Sequence, residues 1–219
     1  MSSPVHIDES PIRFERWRQG LPHWLQRFLP IGGGLAHDEH GKAIFGFVVF
    51  LLSESMIFAS FFVAYLALRL STPNWLPAGV PRLELTKPTI NTVVLVASSF
   101  VIYFADQAIE RRKMNKFRLL WLTTSAMGIS FLVGQIREWN SLSFGLKTGL
   151  FGTTFYLLTG FHGLHVLAGI ILQMLMLFRS FIPGNYNHGY FGVRATSLFW
   201  HFVDIIWIML FSLLYLWQP

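Results

Sequence analysis

The stretch from Gly149 to Phe178, GLFGTTFYLLTGFHGLHVLAGIILQMLMLF, contains no Asp, Glu, Lys or Arg. A helix rises about 1.5 Å per residue and needs about 20 apolar residues to cross a hydrocarbon core of ~30 Å, so this segment is long enough to span a bilayer. Four more apolar stretches of sufficient length lie at about 43–68, 90–108, 119–136 and 195–217. They are separated by a loop with Pro73, Pro77, Pro81 and Pro88, a basic loop from Glu110 to Arg118, a short loop from Arg137 to Thr148, and a Pro183-Gly184-Asn185 turn, all of which carry helix-stopping residues or charge. The expected fold is all-α, a polytopic membrane bundle of five transmembrane helices over 43–219 behind an amino-terminal arm over 1–42.

Composition agrees. Hydrophobic residues are 53 % and charged residues 13 % of the 219, against about 25 % charged in an average soluble protein. The absence of cysteine excludes disulfides, thiolate metal sites, cysteine nucleophiles and c-type haem attachment. The formal charge of +6 is scattered beside apolar runs and forms no nucleic-acid patch. No phosphate-cradling loop or Ser-His-Asp arrangement is present. The first forty residues read as polar and aromatic, not as a secretory signal, and Arg13 to Phe28 reads either as an interfacial arm or as a disordered tail.

Lys and Arg on alternate sides of the five stretches number twelve against five. The excess belongs on the cytoplasmic side, which puts the amino terminus inside and the carboxyl terminus outside. Trp75, Trp121, Trp139 and Trp217 then fall near expected interfaces, where an indole buries its ring and keeps its N–H wet.

Polar groups inside the spans are the candidate functional residues. Glu54 lies midway along the first stretch, where an isolated carboxylate costs several kcal/mol. It is expected to be protonated or tied to a histidine of a neighbouring helix, such as His162 or His201. His162 and His165 are three residues apart, as are His201 and Asp204, so each pair shares a helix face. Two imidazoles one turn apart on one helix cannot sandwich a haem ring, which argues against a b-type cytochrome. The residues alone leave open a proton path, a ligand site or interhelical hydrogen bonding. Gly149, Gly152, Thr159, Gly160, Gly163, Ala168 and Gly169 supply small surfaces for close helix packing.

The segments Thr159-Gly160-Phe161-His162-Gly163-Leu164-His165-Val166 and Trp200-His201-Phe202-Val203-Asp204 closely resemble the two signature segments of subunit III of haem-copper respiratory oxidases. Ser53-Glu54 resembles that family's membrane-embedded glutamate. Pro88-Thr89-Ile90-Asn91-Thr92 resembles the start of its next helix, and Gln135 with Glu138 matches a recurring pair. The resemblance covers about 40–217 and has the form of shorter, five-helix bacterial relatives. Arg194 departs from it, standing where many members carry an acidic residue.

The resemblance implies an accessory subunit of a proton-pumping aa3-type cytochrome c oxidase, bound beside catalytic subunit I, with subunit II, in the bacterial plasma membrane. No catalytic residue and no metal or haem is expected in this chain; haem and copper are expected in its partners. Glu54, His162, His165, His201 and Asp204 would support proton uptake and line a cleft occupied by phospholipid, and His37, His40 and His188 would meet lipid headgroups. A quinol oxidase subunit III is the near alternative, a helper of nitric oxide reductase a more distant one. From other classes, a small proton-coupled transporter or a haem-binding electron-transfer subunit remains open.

Overall fold

The structure, a computed structural model, describes residues 37–76, 81–186 and 189–218, with side chains from Ala43 onward. The arm at 13–28, the side chains of His37 and His40, and His188 lie outside the described residues. Among the described residues five helices are each long and apolar enough to cross a membrane. They are α1 (His37–Ser71), α2 (Thr86–Glu110), α3 (Met114–Ser141), α4 (Gly149–Ser180) and α5 (Phe191–Phe211), which ends in a π-helical turn over Ser212–Leu216.

The helices overrun the apolar stretches. Apolar composition marks only what hydrocarbon can solvate, whereas a helix continues until its backbone is turned. Thus α3 begins at Met114, ahead of Lys116 and Arg118, and passes Arg137 before ending at Ser141. In α2, Pro88 occupies the first turn, where its missing N–H would have had no intrahelical acceptor. The helix ends in a Schellman arrangement: Lys113 N–H reaches the Ala108 carbonyl at 2.9 Å and Arg112 N–H the Ile109 carbonyl at 2.9 Å. Arg112 takes the left-handed position there, with φ 56°, which usually falls to glycine.

Helices α2, α3, α4 and α5 close into a four-helix group, α2 against α3 most intimately and α5 back against α2, while α1 lies outside against α4 and α5. Accordingly α1 is the least buried of the five and α5 the most. The centre of the group is Trp200 of α5, which is fully buried. A Cβ added at Gly128 of α3 would come within 3.0 Å of its ring, and one at Gly169 of α4 would meet it at 2.8 Å. Its Nε1 donates to Ser98 Oγ of α2 at 2.8 Å. Trp207 likewise donates from α5 to Thr92 Oγ1 of α2 at 2.9 Å.

Trp121 does not keep its N–H wet as expected. Its ring is fully buried and its Nε1 donates to the Gln173 carbonyl of α4 at 2.8 Å. This indole faces α4 inside the bundle, where a protein acceptor satisfies it. Trp75 is buried as well, edge-on to Tyr65, whereas Trp217 is 42 % exposed under the Arg69 guanidinium. The chain end is fastened by Gln218, which accepts from Leu83 N–H at 2.9 Å and donates to the Leu83 carbonyl at 3.1 Å.

The two bare patches around Trp200 make a direct test. Gly128→Ala and Gly169→Ala should each lower stability by about 1–3 kcal/mol through overpacking. Gly46→Ala in α1, where no atom lies within 4 Å of the added Cβ, should cost nothing and gain up to about 1 kcal/mol of helix propensity. Thermal unfolding in detergent, followed by circular dichroism, checks all three.

Candidate functional site

The predicted polar residues do not form one cluster. Glu54 of α1 meets His165 of α4, with Oε2 3.1 Å from Nε2. His165 Nδ1 lies 2.8 Å from the Phe161 carbonyl one turn earlier. A carbonyl only accepts, so Nδ1 carries hydrogen and donates to it. The bond between Nε2 and Oε2 then holds one proton, either as a carboxylic acid donating to neutral imidazole or as a carboxylate accepting from imidazolium. The pair is uncharged overall in both forms. This is how a carboxyl is tolerated on an apolar helix.

The partner is therefore His165, not His162 or His201. Three residues turn a helix by about 300°, which leaves His162 and His165 about 60° apart. That offset sends His165 toward α1 and His162 into the bundle. There His162 is 1 % exposed, stacks on Trp207 with centroids 4.9 Å apart, and has no hydrogen-bond partner on either ring nitrogen among the described residues.

His201 and Asp204 meet at Ser99 of α2. Ser99 Oγ donates to Asp204 Oδ2, which commits its only hydrogen. His201 Nδ1, 3.1 Å from the same oxygen, is then the donor. Asp204 is buried, and its Oδ1 has no partner among the described residues.

Reasoning from sequence missed the continuation of this seam. Ser197 of α5 donates to Asp106 Oδ2 of α2 at 2.6 Å, and Asp106 Oδ1 is buried without a partner among the described residues. One turn on, Arg194 Nη2 donates to Glu110 Oε1 at 3.0 Å. Arg194, Ser197, His201 and Asp204 thus share one face of α5 and oppose Ser99, Asp106 and Glu110 of α2. The departure at Arg194 is answered by Glu110. The available signal was Asp106 itself, a carboxylate within a turn of the end of an apolar stretch. A cavity of about 290 Å³ opens beside the seam between Ile44 and Phe47 of α1 and Asp106, Arg194, Ser197 and His201.

The remaining motif residues make contacts within and between the helices. A Cβ at Gly134 would strike the Asn91 side chain, so the Asn91 amide lies directly on α3. Thr92 accepts the Trp207 indole, and Gln135 donates to Glu138 at 3.3 Å with both buried. Among the described residues no three His, Asp or Glu side chains come together in a way that would hold a metal ion.

Comparison with known proteins fits this arrangement. Residues 36–219 match the family model described as cytochrome c oxidase subunit III. The chain is 47 % identical over 187 residues to cytochrome c oxidase subunit 3 of Synechocystis sp., an alignment covering 84 % of this chain and 80 % of that protein. It is 46 % identical over 182 residues to the subunit 3 of Thermostichus vulcanus, covering 83 % and 90 %. Identity to the subunit 3 of Mus musculus is 34 % over 179 residues, covering 79 % and 69 %. The chain belongs to the cytochrome c oxidase subunit III family, as a multi-pass membrane subunit of a haem-copper oxidase complex.

Proposed function

We propose that this chain is the accessory subunit III, without a redox centre of its own, of a proton-pumping aa3-type cytochrome c oxidase in a bacterial plasma membrane. In this reading it lies beside subunit I, with subunit II in the same complex, and supports proton uptake and the working life of the catalytic subunit. Haem and copper belong to the partners. The observation that carries the reading is the Glu54–His165 couple, which shares one proton between α1 and α4 within the span. The cavity between α1 and the α2–α5 seam is the candidate lipid cleft, combining apolar walls with Arg194 and His201 for a headgroup.

Glu54→Gln tests the couple. The carboxamide N–H can donate to His165 Nε2, so assembly should persist and oxygen reduction should proceed. The defect should be partial, seen as slower proton uptake or faster inactivation during turnover. Complete loss of oxidase activity in a fully assembled Glu54→Gln complex would overturn the accessory reading. Glu54→Ala removes the partner altogether and should lower stability by about 1–3 kcal/mol, the cost of an orphaned buried polar group.

The absence of a redox centre is checked by metal analysis and visible absorption of the chain purified on its own. Neither haem, copper nor iron should reach stoichiometric amounts, and one equivalent surviving chelation would remove the assignment.

Orientation follows from the twelve-to-five distribution of Lys and Arg. A reporter fused after Pro219 should lie outside the cytoplasm and one inserted at Lys113 inside; the same side for both would refute the topology.

A further inference from the structure

In the half of the bundle that holds the π-helical turn, aromatic rings touch in an unbroken line. Trp207 of α5 lies 6.4 Å from Tyr215 of the turn, centroid to centroid. Tyr215 is 5.9 Å from Phe155 of α4, Phe155 is 5.5 Å from Tyr156, and Tyr156 is 5.3 Å from Trp139 near the end of α3. Trp207 and Tyr215 are fully buried, whereas Trp139 is half-buried. The line thus leads from the interior of the bundle to its surface.

Rings in contact are packing, but the Tyr215 hydroxyl is not explained by packing. It is buried, makes no hydrogen bond among the described residues, and lies beside the Gln135 amide and the Glu138 carboxyl of α3. A phenylalanine would fill the same space without burying an unpaired hydroxyl. What the phenol adds is chemistry: it can lose an electron together with its proton when a base stands next to it, and Glu138, itself buried and held by Gln135 at 3.3 Å, is that base. The other rings of the line have none. Trp207 Nε1 donates to Thr92 Oγ1 at 2.9 Å, and the Tyr156 hydroxyl donates to the Phe144 carbonyl at 3.0 Å; neither acceptor takes up a proton. With no cysteine in the chain, indoles and phenols are its readiest one-electron donors.

We propose that the line from Trp207 to Trp139 conducts oxidising equivalents out of the complex, with Tyr215 and Glu138 as its proton-coupled relay. This rests on the reading above that sets the chain beside the oxygen-reducing subunit, and it needs no cofactor bound here. Trp207 gives one electron to that partner. Tyr215 refills Trp207 and passes its phenolic proton to the Glu138 carboxylate. Trp139 then refills Tyr215 across the Phe155 and Tyr156 rings, while Glu138 returns the proton. A soluble one-electron reductant, a thiolate, restores Trp139. The partner gains one electron, the thiolate loses one, and the only bond broken and re-formed is the Tyr215 O–H.

The test treats the purified complex with hydrogen peroxide in the absence of reductant and locates oxidised tryptophans by peptide mass spectrometry. Trp139 should carry most of the indole oxidation on this chain. Tyr215→Phe retains every ring contact, and Glu138→Gln retains the rings while removing the base. Each should cut Trp139 oxidation several-fold and hasten inactivation during turnover. Trp217, 42 % exposed and outside the line of contacts, is the control for peroxide acting from solution. Oxidation of Trp217 equal to that of Trp139, or Trp139 oxidation unchanged in both variants of an assembled complex, would overturn the relay. Placement beside the catalytic partner is read separately, from the haem absorption of the purified complex: its absence would overturn that placement and the relay with it.

Discussion

Trp200 is the contact on which the rest of the bundle depends. In lipid, apolar side chains gain nothing by leaving the solvent, so helices associate through close packing and hydrogen bonds. A single buried indole supplies both: its ring needs the bare backbone of Gly128 and Gly169, and its N–H reaches Ser98, so α5 is tied to α2, α3 and α4 at one level. That contact sets the rotation and register of α5. Given it, Asp204 one turn on must face Ser99 and Trp207 must reach Thr92. The Trp200-His201-Phe202-Val203-Asp204 segment is therefore a packing anchor and a polar face carried by consecutive turns of the same helix.

The five helices were legible because apolar runs of this length with at most one charged residue have few other uses in a protein. Their ends were less so, since composition reports on lipid and not on backbone hydrogen bonding. Glu54 stood out as the most improbable residue in its stretch. Its partner did not: His162 and His165 look alike in sequence, and only the rotation of α4, determined by Gly169 against Trp200, decides which one faces α1. The α2–α5 seam was half visible, through His201 and Asp204, but Ser99 and Ser197 are ordinary residues whose role arises solely from the pairing of two helices distant in the chain.

Small residues of α4 also acquire a different meaning in three dimensions. Gly169 accommodates an indole, and Gly160 lies 3.5 Å from the Trp139 ring for an added Cβ. These glycines admit large aromatic groups more than they bring backbones together. The exception is Gly152, where an added Cβ would strike the Gly145 carbonyl of the preceding loop. A stripe of glycines paired with tryptophans on neighbouring helices fills space by shape, and a substitution on either side is felt by both.

The placement of polar bonds along α1 explains why a cleft forms where it does. Toward its carboxyl-terminal end α1 is held by Tyr65 donating to the Leu213 carbonyl at 3.2 Å and by Arg69 over Trp217. Midway it is held by Glu54 to His165 and by Phe58 packed 5.3 Å from Phe161. Toward its amino-terminal end no side chain from Ala43 to Ile57 is fully buried, and the cavity beside Asp106 and Arg194 opens at Ile44 and Phe47. From Ala43 to Glu54 the described side chains pack only partly, through Phe47 and Leu51. The Glu54–His165 couple is the hydrogen-bonded tie of α1 to α4 nearest that opening among the described residues, so the bundle is closed by polar bonds on the carboxyl-terminal side of the cavity and by partial apolar packing beside it.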